Sequence, residues 1–307
     1  MRLVFMGTPA FAVPSLEGLA EAGHQLAGVF SQPDKPVGRH HNKLQPTPVK
    51  ERALARGIPV YQPETLRDGT ALTILQELAP ELIVVAAYGR FLPDEILALP
   101  PKGCINVHSS LLPKYRGSAP INWAILNGER VTGVTIQRMV RDMDAGDIIL
   151  QQSTPIGETE DAAALYDRLA RLGGELAVEA VAQIQAGTAS YTPQDHTRAT
   201  QAPMLSKAMS PVDWTRSAQE IFNQIRGLYP WPGASTTALT GEPIKLWGAQ
   251  VVEKHTDATP GTVIAAGKQG IDVACGDFMT LRILELQAPG KKRMSAAAYL
   301  AGHPIQV

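Results

Sequence analysis

Short apolar runs and helix-length periodic segments take turns along the first half of the chain. Arg2 to Met6 is one such run. Gly7 permits a tight turn after it, and Pro9 stands near the start of a periodic segment that passes through Leu16 and Leu19 to Gly23. The pattern repeats with a strand from His24 to Ser31, helices at Thr47 to Arg56 and Thr70 to Leu78, and a strand from Leu82 to Tyr88. Gly103 to Ser109 reads as a further strand and Pro120 to Leu126 as a further helix. Strands separated by helices pair in parallel, so the expected fold is α/β: a doubly wound, mainly parallel sheet.

Beyond Val131 the rhythm changes. Strands are expected through Ile156, then one long helix from Asp161 to Ala186 with Gly173-Gly174 as its weak point. Gly187 to Ser206 is polar, is interrupted by Thr192-Pro193 and Ala202-Pro203, and reads as a linker. After it come a helix from Ser217 to Leu228 and five short strands between Ala234 and Leu286, with Gly-rich turns that suggest a small β-barrel of the OB type. With 307 residues, two domains are expected: 1–188, a linker at 189–206, and 207–307.

Charge excludes one simple idea. With 28 Lys and Arg against 29 Asp and Glu, no positive field covers the whole molecule, and any nucleic-acid contact must be local. The best local candidate runs from Asp34 to Lys50, where Lys35, Arg39, Lys43 and Lys50 face Asp34 alone, and its Pro and Gly content suggests a mobile loop. The segment from Ser210 onward holds nine basic and eight acidic residues, which announces nothing. Cys104 and Cys275, far apart and outside any CxxC pair, read as core thiols. No GxGxxG follows Gly7, His40-His41 has no partners at ligand spacing, and neither a nicotinamide site nor a metal is expected. The amino end lacks a leader's apolar region and no run reaches membrane length, so a cytoplasmic address is expected by elimination.

Asn106 and His108 lie two apart on a strand, so an amide and an imidazole emerge from one face while Ile105 and Val107 point the other way. Spacing alone favours a plainer reading, a strand end whose polar groups satisfy loop backbone. The strand's carboxyl end, where doubly wound sheets bind ligands, shifts the balance toward function. Around the pair stand Ser109-Ser110-Leu111-Leu112-Pro113-Lys114-Tyr115-Arg116-Gly117 and, further on, Asp142-Met143-Asp144-Ala145-Gly146-Asp147-Ile148. Together these resemble the signature of the folate-dependent formyltransferases. Met6-Gly7-Thr8-Pro9 with Phe11 to Leu16, the insertion from Gln32 to Lys50, and Pro230-Trp231-Pro232-Gly233 resemble the branch of that family that formylates methionyl-tRNA.

The resemblance implies a Rossmann-like catalytic domain with Asn106, His108 and Asp144 as the catalytic set. It implies 10-formyltetrahydrofolate as cosubstrate, held by Ser109, Ser110, Leu111, Leu112 and Pro113 and by backbone at Tyr88, Gly89, Arg90, Phe91 and Leu92. Its acceptor would be charged initiator tRNA, met by Lys35, Arg39 and Lys43 in the insertion and by Lys207, Lys291, Lys292 and Arg293 in the second domain, with no DNA and no membrane partner. The chemistry suits those residue types. An amine adding to a formyl carbon creates an oxyanion, for which the Asn106 amide is a donor worth about 2.7 to 4 kcal/mol. His108 either takes the amine's proton or stabilises the oxyanion, and Asp144 orients the ring. Asp142 and Asp147 compete with Asp144 as residues of a turn-forming segment, and Arg116 reads equally as a buttress or a functional group. The nearest alternative acceptor is an amino sugar nucleotide, followed by water; a non-catalytic folate or RNA binding module would have no use for the three-residue set.

Overall fold

The computed structural model describes residues 1–37, 43–305 and 307, without the side chains of Val37 and Lys43. It divides into two compact units, the first made of Met1–Pro120, Val131–Pro155 and Tyr166–Ala202, the second of Ile121–Arg130, Ile156–Leu165 and Pro203–Val307. The stretch expected as a linker thus belongs to the first unit as far as Ala202: Thr192 exchanges backbone hydrogen bonds with Ile148, and Ala202 donates to the Arg116 carbonyl at 2.7 Å.

The first unit opens with β1 (Arg2–Gly7), α1 (Val13–Glu21) and β2 (Gln25–Phe30). A short hairpin follows, β3 (Lys35–Val37) pairing antiparallel with β4 (Lys43–Gln45), then α2 (Pro48–Ala55), β5 (Val60–Tyr61), α3 (Thr70–Leu78), β6 (Leu82–Ala86), α4 (Asp94–Leu97) and β7 (Cys104–His108). Along the chain come next α5 (Pro120–Leu126), which beyond Pro120 falls in the second unit, then β8 (Val131–Arg138), β9 (Ile148–Pro155) and α6 (Ala162–Ala186), of which Ala162–Leu165 fall in the second unit. The sheet order is β5-β2-β1-β6-β7-β8-β9, parallel from β5 to β7 and antiparallel from β7 to β9. Leu82 to Ala86 are all buried, as strands covered on both faces should be. One face packs Val4, Met6, Ile83 and Val85 against Leu75, Ile96 and Tyr88.

Two expectations are corrected. The basic insertion is not simply a loop, because its ends pair as a hairpin whose base is pinned: Lys50 Nζ lies 2.6 Å from Asp34 and Gln62 Nε2 donates to the same carboxylate at 2.7 Å. These two hydrogen bonds, that from Gln62 foremost, hold the Asp34 carboxyl below its usual range. Gly173-Gly174, in turn, does not interrupt α6, which runs unbroken through 25 residues. The glycines allow close approach. A Cβ on Gly174 would stand 2.8 Å from the Pro14 carbonyl carbon, and one on Gly173 would stand 2.8 Å from Val107.

The second unit carries α7 (Ala218–Gly227), β10 (Ala234–Thr236), β11 (Ile244–Val252), β12 (Val263–Gly267), β13 (Gly270–Ala274), β14 (Thr280–Gln287), β15 (Met294–Ser295) and α8 (Ala296–Gly302). Its strands are antiparallel in the order β10-β11-β14-β13-β12, with β15 on β14, so one short strand joins the five expected. Ser217 and Glu220 form a reciprocal capping box that fixes the start of α7. Ile221 and Ile225 of that helix join Leu246, Ile271, Val273, Leu281 and Ile283 in the core. Buried Arg226 donates to the carbonyls of Gly157 and Glu160, at 3.1 and 2.9 Å, which gathers the 156–165 segment into this unit.

Candidate active site

Parallel strands deliver their carboxyl ends to one edge, and β7 ends there with Asn106 and His108 on one face. Because β8 runs antiparallel to β7, Gln137 sits opposite Asn106 and Thr135 opposite His108, while β9 sets Gln151 opposite Thr135. Directly opposed residues share a face. His108, Thr135 and Gln151 therefore form a polar row across three strands.

Thr135 is fully buried and its hydroxyl is saturated. It donates to the Ser110 carbonyl at 2.6 Å and accepts from the Leu112 N–H at 3.2 Å and from Gln151 Nε2 at 2.8 Å. Gln151 Nε2 also donates to the Leu112 carbonyl at 3.0 Å, and Ser110 Oγ donates to the Lys114 carbonyl at 2.7 Å. The segment Ser109–Pro113 is thus stitched to the sheet below it. Its continuation is tied by Thr200, whose hydroxyl accepts from the Tyr115 N–H at 2.8 Å.

Asp144 follows β8 in a left-handed conformation with φ of 52°. Its carboxylate accepts from Gln137 Nε2 at 2.8 Å and from the Gly117 N–H at 2.9 Å, and Oδ1 lies 3.6 Å from His108 Nδ1. The other ring nitrogen, Nε2, lies 2.9 Å from the Tyr115 carbonyl. A carbonyl only accepts, so Nε2 carries a proton. Among the described residues Asp144 is the acid of its turn that reaches His108; the backbone carbonyls of Asp142 and Asp147 close the turn onto Ala145 and Arg138. The turn is tight at Gly146, where a Cβ would lie 1.8 Å from the Arg138 carbonyl oxygen. Asn106 is half-buried, and its carboxamide has no hydrogen-bond partner among the described residues.

The other stretch expected to meet folate, Tyr88–Leu92, follows β6. Its backbone is fixed by Thr8 Oγ1 and Gln32 Nε2, which donate to the Tyr88 carbonyl at 3.1 and 2.9 Å, and Gln32 also reaches the Gly89 carbonyl. The side chains of Tyr88 and Leu92 are buried, burial pushing the Tyr88 phenol above its usual pKa, whereas Phe91 is 64% exposed. Arg90 donates to the Glu64 carbonyl. Arg141 and Asp94, 3.6 Å apart, bring the turn after β8 near this stretch.

Of the residues expected to meet tRNA, Lys35 is exposed at the start of β3, and Lys43 opens β4. Arg39 lies outside the described residues. Lys207 stands exposed on a single 3-10 turn, and Lys291 and Lys292 are exposed before β15. Arg293 already has partners, since it pairs with Glu285 and lies over the rings of Tyr229 and Trp247 at 5.5 and 6.0 Å.

Sequence reasoning missed Thr135, Gln137, Gln151 and Gln194. The first three alternate on strands and were visible only as polar positions; their role exists through pairing. Gln194 lies in a stretch without periodicity and had no local signal.

Two family models match successive parts of the chain. Residues 1–181 match the family model described as formyl transferase, and residues 204–304 match that of the formyl transferase C-terminal domain. Over 306 residues the chain is 48% identical to a methionyl-tRNA formyltransferase of Alkaliphilus oremlandii, covering 100% of this chain and 98% of the relative. A protein of the same name from Moorella thermoacetica is 50% identical, with 99% and 97% covered. Among solved structures, an N-formyltransferase from Helicobacter canadensis, in complex with folinic acid and dTDP-3-aminofucose, superposes with a TM-score of 0.67 at 19% identity, covering 92% of this chain and 98% of that one. HypX from Aquifex aeolicus in complex with tetrahydrofolic acid gives 0.63 at 20% identity, covering 98% of this chain and 47% of that one.

Proposed function

This chain belongs to the formyl transferase family, and from that premise we infer that it moves the formyl group of 10-formyltetrahydrofolate to the free amino group of methionyl-initiator tRNA, yielding formylmethionyl-tRNA for translation initiation. The likeness to methionyl-tRNA formyltransferases over the whole length carries the choice of acceptor. Buried His108 and half-buried Asp144, facing each other beside Asn106, support the chemistry.

The residues present fit a folate. Ser109–Pro113 and the backbone of Tyr88–Leu92 would hold it, both stretches being braced by hydrogen bonds from the sheet and from Thr8 and Gln32. Exposed Phe91, Val140 and Met143 offer apolar surface to a flat ring system. When bound, the folate supplies a formyl group already attached to nitrogen and ready for transfer. Asn106 supports that step with an unpaired amide donor for the developing oxyanion. His108 has its Nε2 proton on the Tyr115 carbonyl and Nδ1 toward the Asp144 carboxylate, a setting in which the carboxylate favours the charged ring and so supports either taking the amine's proton or stabilising the oxyanion. Asp144 fixes the ring's orientation and is itself fixed by Gln137 and Gly117. The exposed lysines at positions 35, 207, 291 and 292 would meet phosphates, and Arg39 the acceptor end.

The test is radiolabelled formyl transfer from 10-formyltetrahydrofolate to methionyl-initiator tRNA, to an amino sugar nucleotide, or with no acceptor added. Transfer to the tRNA alone is expected. Label on the sugar nucleotide, or formate release without acceptor, would replace this reading. With the tRNA substrate, Asn106→Ala should lower turnover by about 10² to 10³ while leaving folate affinity in place.

A further inference from the structure

Gln194 is a buried amide, 5% exposed, in a stretch whose composition reads as a connector. Its Oε1 accepts from Arg116 Nε at 3.2 Å and from an Arg116 terminal nitrogen at 2.6 Å. Its Nε2 donates to the backbone carbonyls of Asp144 and Gly146, at 2.8 and 2.7 Å. The orientation of the amide is set by chemistry. A guanidinium only donates and a carbonyl only accepts, so the flipped amide would oppose like groups on both sides.

Those two carbonyls flank the centre of the turn that carries Asp144. A non-glycine residue at positive φ is strained and persists where its surroundings over-determine it. Gly146 allows no retreat on one side, being packed against the Arg138 carbonyl. The Gln194 amide closes the other. Arg116, also buried and bonded through the same terminal nitrogen to His196 Nδ1 at 3.0 Å, keeps the amide from turning. The geometry points to Gln194 as a positioning residue for formyl transfer: held by Arg116, it fixes the left-handed backbone of Asp144 and so the approach of that carboxylate to His108. This rests on the reading of Asp144 as part of the catalytic set.

A group that acts only through Asp144 has nothing left to position once that carboxylate is gone, and a double-mutant cycle tests this directly. In the full chain, with 10-formyltetrahydrofolate and methionyl-tRNA, Gln194→Leu should lower kcat by about 10- to 100-fold, the scale of a misplacement near 1 Å, with KM for the folate within about threefold. In an Asp144→Asn background the same substitution should cost less than about threefold. Gln194→Glu serves as the second variant. It keeps the size and the Arg116 contact but turns an oxygen toward two carbonyl oxygens, so it should reproduce the kcat loss in protein whose thermal melt shows it folded. An equal loss in both backgrounds, a change confined to KM, or no loss in either variant overturns the inference. Full turnover of Asp144→Asn alone would remove Asp144 from the catalytic set and the inference with it, a result distinguishable from a normal Gln194 variant beside an impaired Asp144→Asn.

Discussion

Replacing Thr135 by Val exchanges a hydroxyl for a methyl of nearly the same size, so the core is not emptied and the effect is confined to hydrogen bonding. Three groups lose a partner: the Ser110 carbonyl, the Leu112 N–H and Gln151 Nε2. Gln151 retains the Leu112 carbonyl and is the least affected. The other two are buried at the base of the expected folate loop and, left unsatisfied, cost about 1–3 kcal/mol each. A loss of about 2–4 kcal/mol is expected once the loop has relaxed. Amide exchange reads it locally. If loop opening exposes the Leu112 N–H, its exchange should accelerate by about 30-fold or more, at about 1.4 kcal/mol per tenfold, while β1 amides change less. KM for 10-formyltetrahydrofolate should rise with it and kcat fall less. Unchanged Leu112 exchange together with an unchanged KM would refute the account of Thr135 as the tie between sheet and loop.

Gly174→Ala gains about 1 kcal/mol in helix propensity but sets its Cβ 2.8 Å from backbone at Pro14, where overpacking costs about 1–3 kcal/mol; a net fall in Tm is expected, and a rise would show that α6 is free to move. Burial pushes the Cys104 and Cys275 thiols up to about 12, so iodoacetamide at pH 7.5 should label neither in the native protein and both in guanidinium, by mass spectrometry. Ser217→Ala removes the α7 cap and should cost about 1 kcal/mol. Hydrogen bonds from Arg216 and then Ser217 hold Glu220 at about 2, so its small, exposed contribution is present above an unfolded pKa of 4.5 and lost as pH falls toward 2; the variant's urea midpoint should depend less on pH in that window. Arg39→Ala should reduce turnover on initiator tRNA more than on elongator methionyl-tRNA, with folate binding intact, and equal losses on both would make Arg39 a phosphate contact.

Much of this fold was legible because burial on both faces of a parallel sheet writes itself into the chain as apolar runs, as at Leu82–Ala86. The shared face of Asn106 and His108 followed from strand geometry, while Asp144 was singled out from Asp142 and Asp147 by resemblance and meets His108 through folding of the intervening chain. What stayed illegible depends on pairing. Gln137 and Thr135 look like ordinary polar alternation, and they matter because β8 runs antiparallel and sets them against Asn106 and His108. Gln194 matters because a non-periodic segment returns to Arg116. The hairpin of β3 and β4 hid behind charge, since Lys35 and Lys43 read as part of a mobile loop while the two segments pair through their backbones. Gly173-Gly174 was misread because local propensity is blind to other segments packed so close that a Cβ would stand 2.8 Å from them.

The polar row of His108, Thr135 and Gln151 also has a bearing on how the chain finds its register. Successive strand residues face opposite sides, so a one-residue slip of β8 would turn Thr135 and Gln137 away and bring Val134 and Ile136 beneath the loop. Apolar packing already opposes that slip, because β8 is apolar-buried on one side and polar-buried on the other, and the slip would drive Thr135 and Gln137 into the apolar side. The Ser110 and Leu112 backbone groups would penalise it strongly, since they would be buried without partners. The hydrogen bonds that hold the site therefore work as a key for strand alignment. A chain that has closed with β8 out of step has no braced loop and no carboxylate facing His108, so under the proposed roles of these residues it is inert, and transfer activity becomes a readout of correct assembly at this edge of the sheet.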